Sequence, residues 1–121
     1  MTGWQLLGHA RAVLDGTIRM PGLSAPRAAA LLARQALEDG LRERVRDLCP
    51  GLDRATARSQ LICLRVLRPD TGLAAQRAWD GLCRACHHHA YELTPTDSEV
   101  RRLIALVDLV VPAPALVSAA G

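Results

Sequence analysis

The chain has 121 residues, half of them hydrophobic and 22% charged, a globular composition that excludes an intrinsically disordered one. Its net charge of +3 and pI of about 9.0 permit an anionic partner without demanding one. No apolar run approaches the roughly 20 residues of a membrane span. The start, MTGWQLLGHARAVLDG, is amphipathic and lacks the apolar core of a signal peptide. A cytoplasmic protein with four reduced cysteines and no membrane partner is therefore expected.

The length corresponds to one domain, which can bury enough surface to need no disulfide or metal staple. Leu, Ala and Val dominate the apolar residues. There is no Phe, and the only aromatics are Trp4, Trp79 and Tyr91. Ala and Leu favour helices, whereas strands favour aromatic and β-branched residues. An all-α fold follows. All 15 basic residues are Arg. A GC-rich coding sequence would produce the same bias, but the planar Arg fork is also the better bidentate phosphate ligand.

In chain order, Leu6, Leu7, Ala10, Val13 and Leu14 carry helical spacing over residues 3–15, and Gly16 ends that helix. Residues 16–23 hold Gly and Pro and form a loop. Ser24 caps a second helix with Pro26 in its first turn, running to about Leu48 along the stripe Leu37, Leu41, Val45 and Leu48. Pro50–Gly51 breaks it. A third helix, from about Asp53 to Leu67, is apolar nearly all round and is expected to be the most buried. Pro69 stops it, and Asp70 or Thr71 caps a fourth helix that runs to about Glu92. Pro95 breaks the chain again. Thr96–Asp97–Ser98–Glu99 is a capping box that starts a fifth helix, ending near Val110. The prediction is an antiparallel bundle of about five helices, a single domain over 1–121 with its core in about 3–110. The Pro- and Ala-rich tail 111–121 is expected to fray or dock loosely.

The densest chemistry lies in GLCRACHHHAYELTPTDSE, residues 81–99. Cys83–Arg84–Ala85–Cys86–His87 matches a c-type haem attachment pattern, but that chemistry belongs to exported proteins. Zinc needs four ligands, and no second paired-ligand motif accompanies Cys83, Cys86 and His87. A redox CxxC usually opens a helix beside a strand. On a helical wheel continued through the whole segment, Trp79, Leu82, Cys83, Cys86, Ala90 and Leu93 share one stripe. The thiols are therefore assigned to the core, and no cofactor is expected. Arg84, His88 and Tyr91 share the opposite face, with His87 and His89 on its flanks. A neutral imidazole is a suitable general base at pH 7, and a guanidinium holds phosphate and stabilises developing negative charge. Arg84 with His88 or His89 would thus suit metal-independent cleavage of RNA, whose 2′-hydroxyl is the nucleophile. Tyr91 and His87 are the candidate substrate-binding residues.

On these residues the sequence resembles the HEPN superfamily of nucleotide-binding helical domains. Many of its members carry an R-x(4–6)-H motif near the end of a late helix. Arg84-Ala-Cys-His-His-His89 fits with four intervening residues, and 27–44, RAAALLARQALEDGLRER, looks like the family's Ala/Leu-rich early helix. The likeness covers roughly residues 3–110. It departs at Ala85, where the family is often polar, and at His88, which the wheel places nearer Arg84 than the motif's His89. The resemblance implies a homodimer whose Arg/His pairs line a shared cleft. It also implies a metal-independent ribonuclease, often a toxin restrained by a nucleotidyltransferase-type antitoxin. The alternative is a non-enzymatic helical dimerisation or protein-interaction module. The Arg-rich second helix (Arg27, Arg34, Arg42, Arg44, Arg46) would then be a solvated or partner-facing surface.

Overall fold

The computed structural model describes residues 1–87 and 93–114. Among these, the chain forms α1 (Gly3–Leu14), α2 (Ala25–Leu48), α3 (Ala57–Leu67), α4 (Pro69–Cys86) and α5 (Asp97–Asp108), with a single 3₁₀ turn at Leu52–Arg54. The fold is all-α, a small bundle of five helices.

Most helix starts are written in short-range hydrogen bonds. Thr2 and Gln5 form a reciprocal capping box at α1. Ser24 Oγ accepts from the Arg27 amide at α2, Thr56 Oγ1 from Ser59 at α3, and Thr96 Oγ1 from Glu99 at α5. Each satisfies one of the four amides that a helix start leaves without an intrahelical acceptor. The exception is α4. Neither Asp70 nor Thr71 caps it; Pro69 opens it directly after Arg68, with no side-chain cap. The α3–α4 corner is so tight that a Cβ on Gly72 would lie 2.4 Å from the Cα of Arg65. Only glycine lets the two backbones approach this closely.

The most buried helix is α2, not α3 as its apolar content suggests. It packs against every other helix. Ala28, Ala29, Ala30, Ala33 and Ala36 are all fully buried, because small side chains admit neighbours on several sides. By contrast, α3 buries only Gln60, Leu61 and Leu64, and leaves Ile62 55% and Val66 72% exposed. It also starts later than expected, since Asp53 belongs to the 3₁₀ turn. That turn is held by Gln60, only 3% exposed, whose Nε2 lies within 3.1–3.2 Å of the carbonyls of Leu52, Asp53 and Ala55.

At the other end, Val110 and Val111 are buried. Arg44 Nε donates to the Val110 carbonyl at 2.8 Å. Val111 fits against Gly3 and Gly40, where added Cβ atoms would come within 3.3 Å and 3.0 Å of its side chain. The chain after α5 is thus docked through Val111, while Ala113 and Pro114 are exposed; the rest of the expected tail, 115–121, lies outside the described residues. Arg101 joins α5 to the end of α1 by bonding both Asp97 (2.7 Å) and Asp15 (2.8 Å), and Arg11 pairs with Asp108. No helix among the described residues is long and apolar enough to cross a membrane.

Candidate functional site

The last turn of α4 carries Arg84, exposed to solvent. The helix buries Ala74, Ala75, Ala78, Leu82 and Ala85, fixing Arg84 on the outward side with Leu73, Arg77 and Asp80. The core stripe is therefore rotated from the expected one. Leu82 is at its centre, while Trp79, Cys83 and Cys86 sit half-buried at its edge. The helix also stops earlier than the predicted Glu92. Cys86 is its last residue, and His87 leaves it with an extended backbone, φ −68° and ψ 134°. Leu93, placed on the core stripe by a continuous helix, is 95% exposed.

At this end α4 meets α2. Arg27 is 8% exposed, and its Nη1 donates to the His87 carbonyl at 2.6 Å. A helix end leaves four carbonyls without intrahelical donors and carries the negative end of the helix dipole, so a buried guanidinium there satisfies both. Further along α2, Arg34 stacks over the Trp79 ring, 5.2 Å from its centroid. Burial pushes the Cys86 thiol up from its ordinary value, and the Arg34 guanidinium beside it partly opposes that shift. Arg42 and Arg46 pair with Asp39 and Asp53. Arg27, Arg34 and Arg44 thus engage neighbours within the molecule, while Arg42 and Arg46 remain exposed to solvent.

The helix that bears Arg84 ends at Cys86, so a wheel drawn from it does not extend to His88, His89 and Tyr91. Those three candidates lie outside the described residues. Of the predicted site residues, the structure places Arg84 on the last turn of α4 and His87 exposed immediately after it. Among the described residues no group of three His, Cys, Asp or Glu side chains converges as a metal site.

Between α4 and α5 lies a cleft of about 560 Å³, within the range typical of small-molecule sites. Arg84, Glu99 and Arg102 supply its polar side chains. Ala85, Pro95, Leu103 and Leu106 give it apolar walls. Gly81 shapes it from below: a Cβ there would lie 2.4 Å from Leu103 Cδ2, so the missing side chain makes room for Leu103. Arg84, Glu99 and Arg102 are all exposed, and none of their side chains has a hydrogen bond or ion pair among the described residues. Glu99 and Arg102 stand one turn apart on α5 yet do not bond each other. Sequence reasoning missed Arg102 and assigned Glu99 to capping alone. The three-residue spacing from Glu99 to Arg102 was the available signal, because it puts both on one helix face.

Among the described residues the cleft therefore presents two guanidinium forks and one acceptor-only carboxylate beside apolar surface. Such a set suits a ligand that is anionic at one point, donates hydrogen bonds at another, and offers a flat or apolar body between. Comparison with models of protein families, with curated proteins and with solved structures finds no match to this chain.

Proposed function

We propose that this protein is an RNA-binding helical domain in which Arg84 and Arg102 hold phosphate at the α4–α5 cleft. The observation that carries this is the pair of guanidinium groups, unpaired among the described residues, at one apolar cleft. Elsewhere on the surface Arg11, Arg34, Arg42, Arg46 and Arg101 are paired with carboxylates, while Arg58, Arg65 and Arg77 are unpaired among the described residues but are not among those lining this cleft. A free guanidinium binds phosphate bidentately and releases condensed counterions from the nucleic acid.

The HEPN resemblance extends this to metal-independent ribonuclease activity in a cytoplasmic homodimer restrained by a nucleotidyltransferase-type antitoxin. In that chemistry His89 or His88 takes the proton of the RNA 2′-hydroxyl. The 2′-oxygen bonds to phosphorus, the bond to the 5′-oxygen breaks, the leaving 5′-oxygen takes a proton from water, and a 2′,3′-cyclic phosphate and a 5′-hydroxyl result. Arg84 stabilises the charge that builds on the phosphoryl oxygens, and Tyr91 and His87 contact the substrate. The test is binding and cleavage of labelled single-stranded RNA with EDTA present, comparing wild type with Arg84→Ala and His89→Ala. Binding weakened by Arg84→Ala supports RNA recognition, and cleavage lost in both variants supports the ribonuclease. Absence of RNA binding by the wild type overturns the proposal.

A second reading, a helical interaction module, is favoured by the exposed Ile62 and Val66 on α3 and Leu73 on α4. Sedimentation would show a stable dimer that Val66→Glu dissociates; a monomer at all concentrations would exclude a self-association module.

A further inference from the structure

The cleft carries one feature that phosphate binding does not need. A carboxylate, Glu99, shares it with Arg84 and Arg102 and is paired with neither. Beside a site for phosphate alone, an unpaired carboxylate only repels the ligand. Its presence suits a ligand that brings hydrogen-bond donors together with its phosphate. A carboxylate is acceptor-only and can take two donors side by side on its two oxygens.

Among the four RNA bases, guanine alone offers two adjacent donors on one edge, N1–H and the N2 amino group. Adenine and cytosine each set a single amino group next to a ring nitrogen whose lone pair would face the carboxylate. Uracil has one N–H between two carbonyl oxygens. Among the described lining residues, Glu99 supplies the side-chain acceptor, and none of them carries a side-chain amide, hydroxyl or imidazole. Its volume of about 560 Å³ and its walls of Pro95, Leu103 and Leu106 accommodate a base removed from its stack. The Arg84 guanidinium offers a planar surface for stacking as well as charge.

We infer that Glu99 is a specificity-determining residue and that the cleft takes an unstacked guanine of single-stranded RNA, its phosphate on Arg84 and Arg102. This rests on the RNA-binding function proposed above. Glu99 contributes to the fold through its amide, which Thr96 Oγ1 accepts at 3.1 Å, and Glu99→Gln leaves that bond in place.

The experiment is fluorescence anisotropy with four labelled oligouridylates, each with G, A, C or U at one central position, on the full chain. The wild type should bind the G-containing strand about tenfold more tightly than the others, the discrimination ordinary for a two-bond base contact. Glu99→Gln should bring all four strands within about twofold of one another. It should do so by weakening the G strand while tightening the other three, because a negative charge has been removed; loss of fold would weaken all four. A wild type that binds all four strands equally overturns guanine recognition and leaves RNA binding standing. A Glu99→Gln variant that keeps the G preference overturns the role of Glu99. A wild type that binds none overturns both proposals.

Discussion

Arg27 and His87, 60 residues apart, meet where α4 ends, the buried guanidinium donating to the exposed residue's carbonyl. That contact joins the first turn of α2 to the last turn of the helix bearing Arg84. Arg27→Met keeps much of the apolar stem and removes the donor. The bond is part-buried and its donor is charged, and a hydrogen bond to a charged group contributes about 1.5–3 kcal/mol, so the variant should unfold about 2 kcal/mol more easily in urea. A loss below about 0.5 kcal/mol would mean that the contact does not hold the α4 end.

Gly72 and Gly8 are both helical glycines with opposite surroundings. A Cβ on Gly72 meets the Arg65 backbone at 2.4 Å, whereas one on Gly8 meets nothing within 4 Å. Backbone cannot yield as a side-chain tip can. Gly72→Ala should therefore destabilise by about 2 kcal/mol or more, in the range of forced overpacking. Gly8→Ala should stabilise by about 0.5–1 kcal/mol through helix propensity. Thermal melts of the two variants should move in opposite directions.

Gln60 is buried, and its amide lies within hydrogen-bond distance of the Leu52 and Asp53 carbonyls in the 3₁₀ turn and of the Ala55 carbonyl just after it. Gln60→Leu conserves volume and leaves those acceptors without their donor. A loss of about 1–3 kcal/mol is expected, with increased proteolytic cleavage around residues 50–56. Unchanged stability and protease resistance would show that the turn stands without Gln60.

How much of this was legible in the sequence follows from the range of the interactions. Ser24 and Thr96 were readable as caps because their bonds reach only three residues along the chain. The all-α class and the breaks near Gly16, Pro50 and Pro95 were readable for the same reason. The end of α4 was not, because nothing between Cys86 and Glu92 breaks a helix in its own right; the Arg27 contact there comes from α2. The burial order was misjudged because apolar content does not say how many neighbours a helix has: α2, rich in alanine, takes the centre, and the more apolar α3 lies at the edge. At the cleft, Arg84 was singled out, but Arg102 lies on another helix and only packing brings it near. Of the α2 arginines, Arg42 and Arg46 lie on the solvated surface that the sequence suggests, whereas the inward contacts of Arg27 and Arg44 are set by tertiary structure.

The pH dependence of Cys86 follows from its burial. Its folded pKa is raised, with Arg34 partly opposing the shift. In a variant retaining only this cysteine, alkylation by iodoacetamide should be slower than that of a free thiol at pH 8, with its midpoint above the ordinary thiol range. Arg34→Met should move the midpoint higher still. Because the folded value exceeds the unfolded one, the thiol's stabilising contribution is fully present below the ordinary thiol pKa. It is lost as pH rises through the folded value, so the fold should weaken in alkali.

The central claim is that Arg84 and Arg102 contact phosphate, and the salt dependence of RNA binding tests it most directly. Affinity for single-stranded RNA should fall linearly on logarithmic axes as salt rises, with Arg84→Ala and Arg102→Ala each lowering the slope by about 0.7 and the double variant by about twice that. Arg77→Ala, on the same exposed face of α4 but outside the cleft, should leave the slope unchanged. Equal slopes for the wild type and the double variant, or binding by neither, would contradict the account.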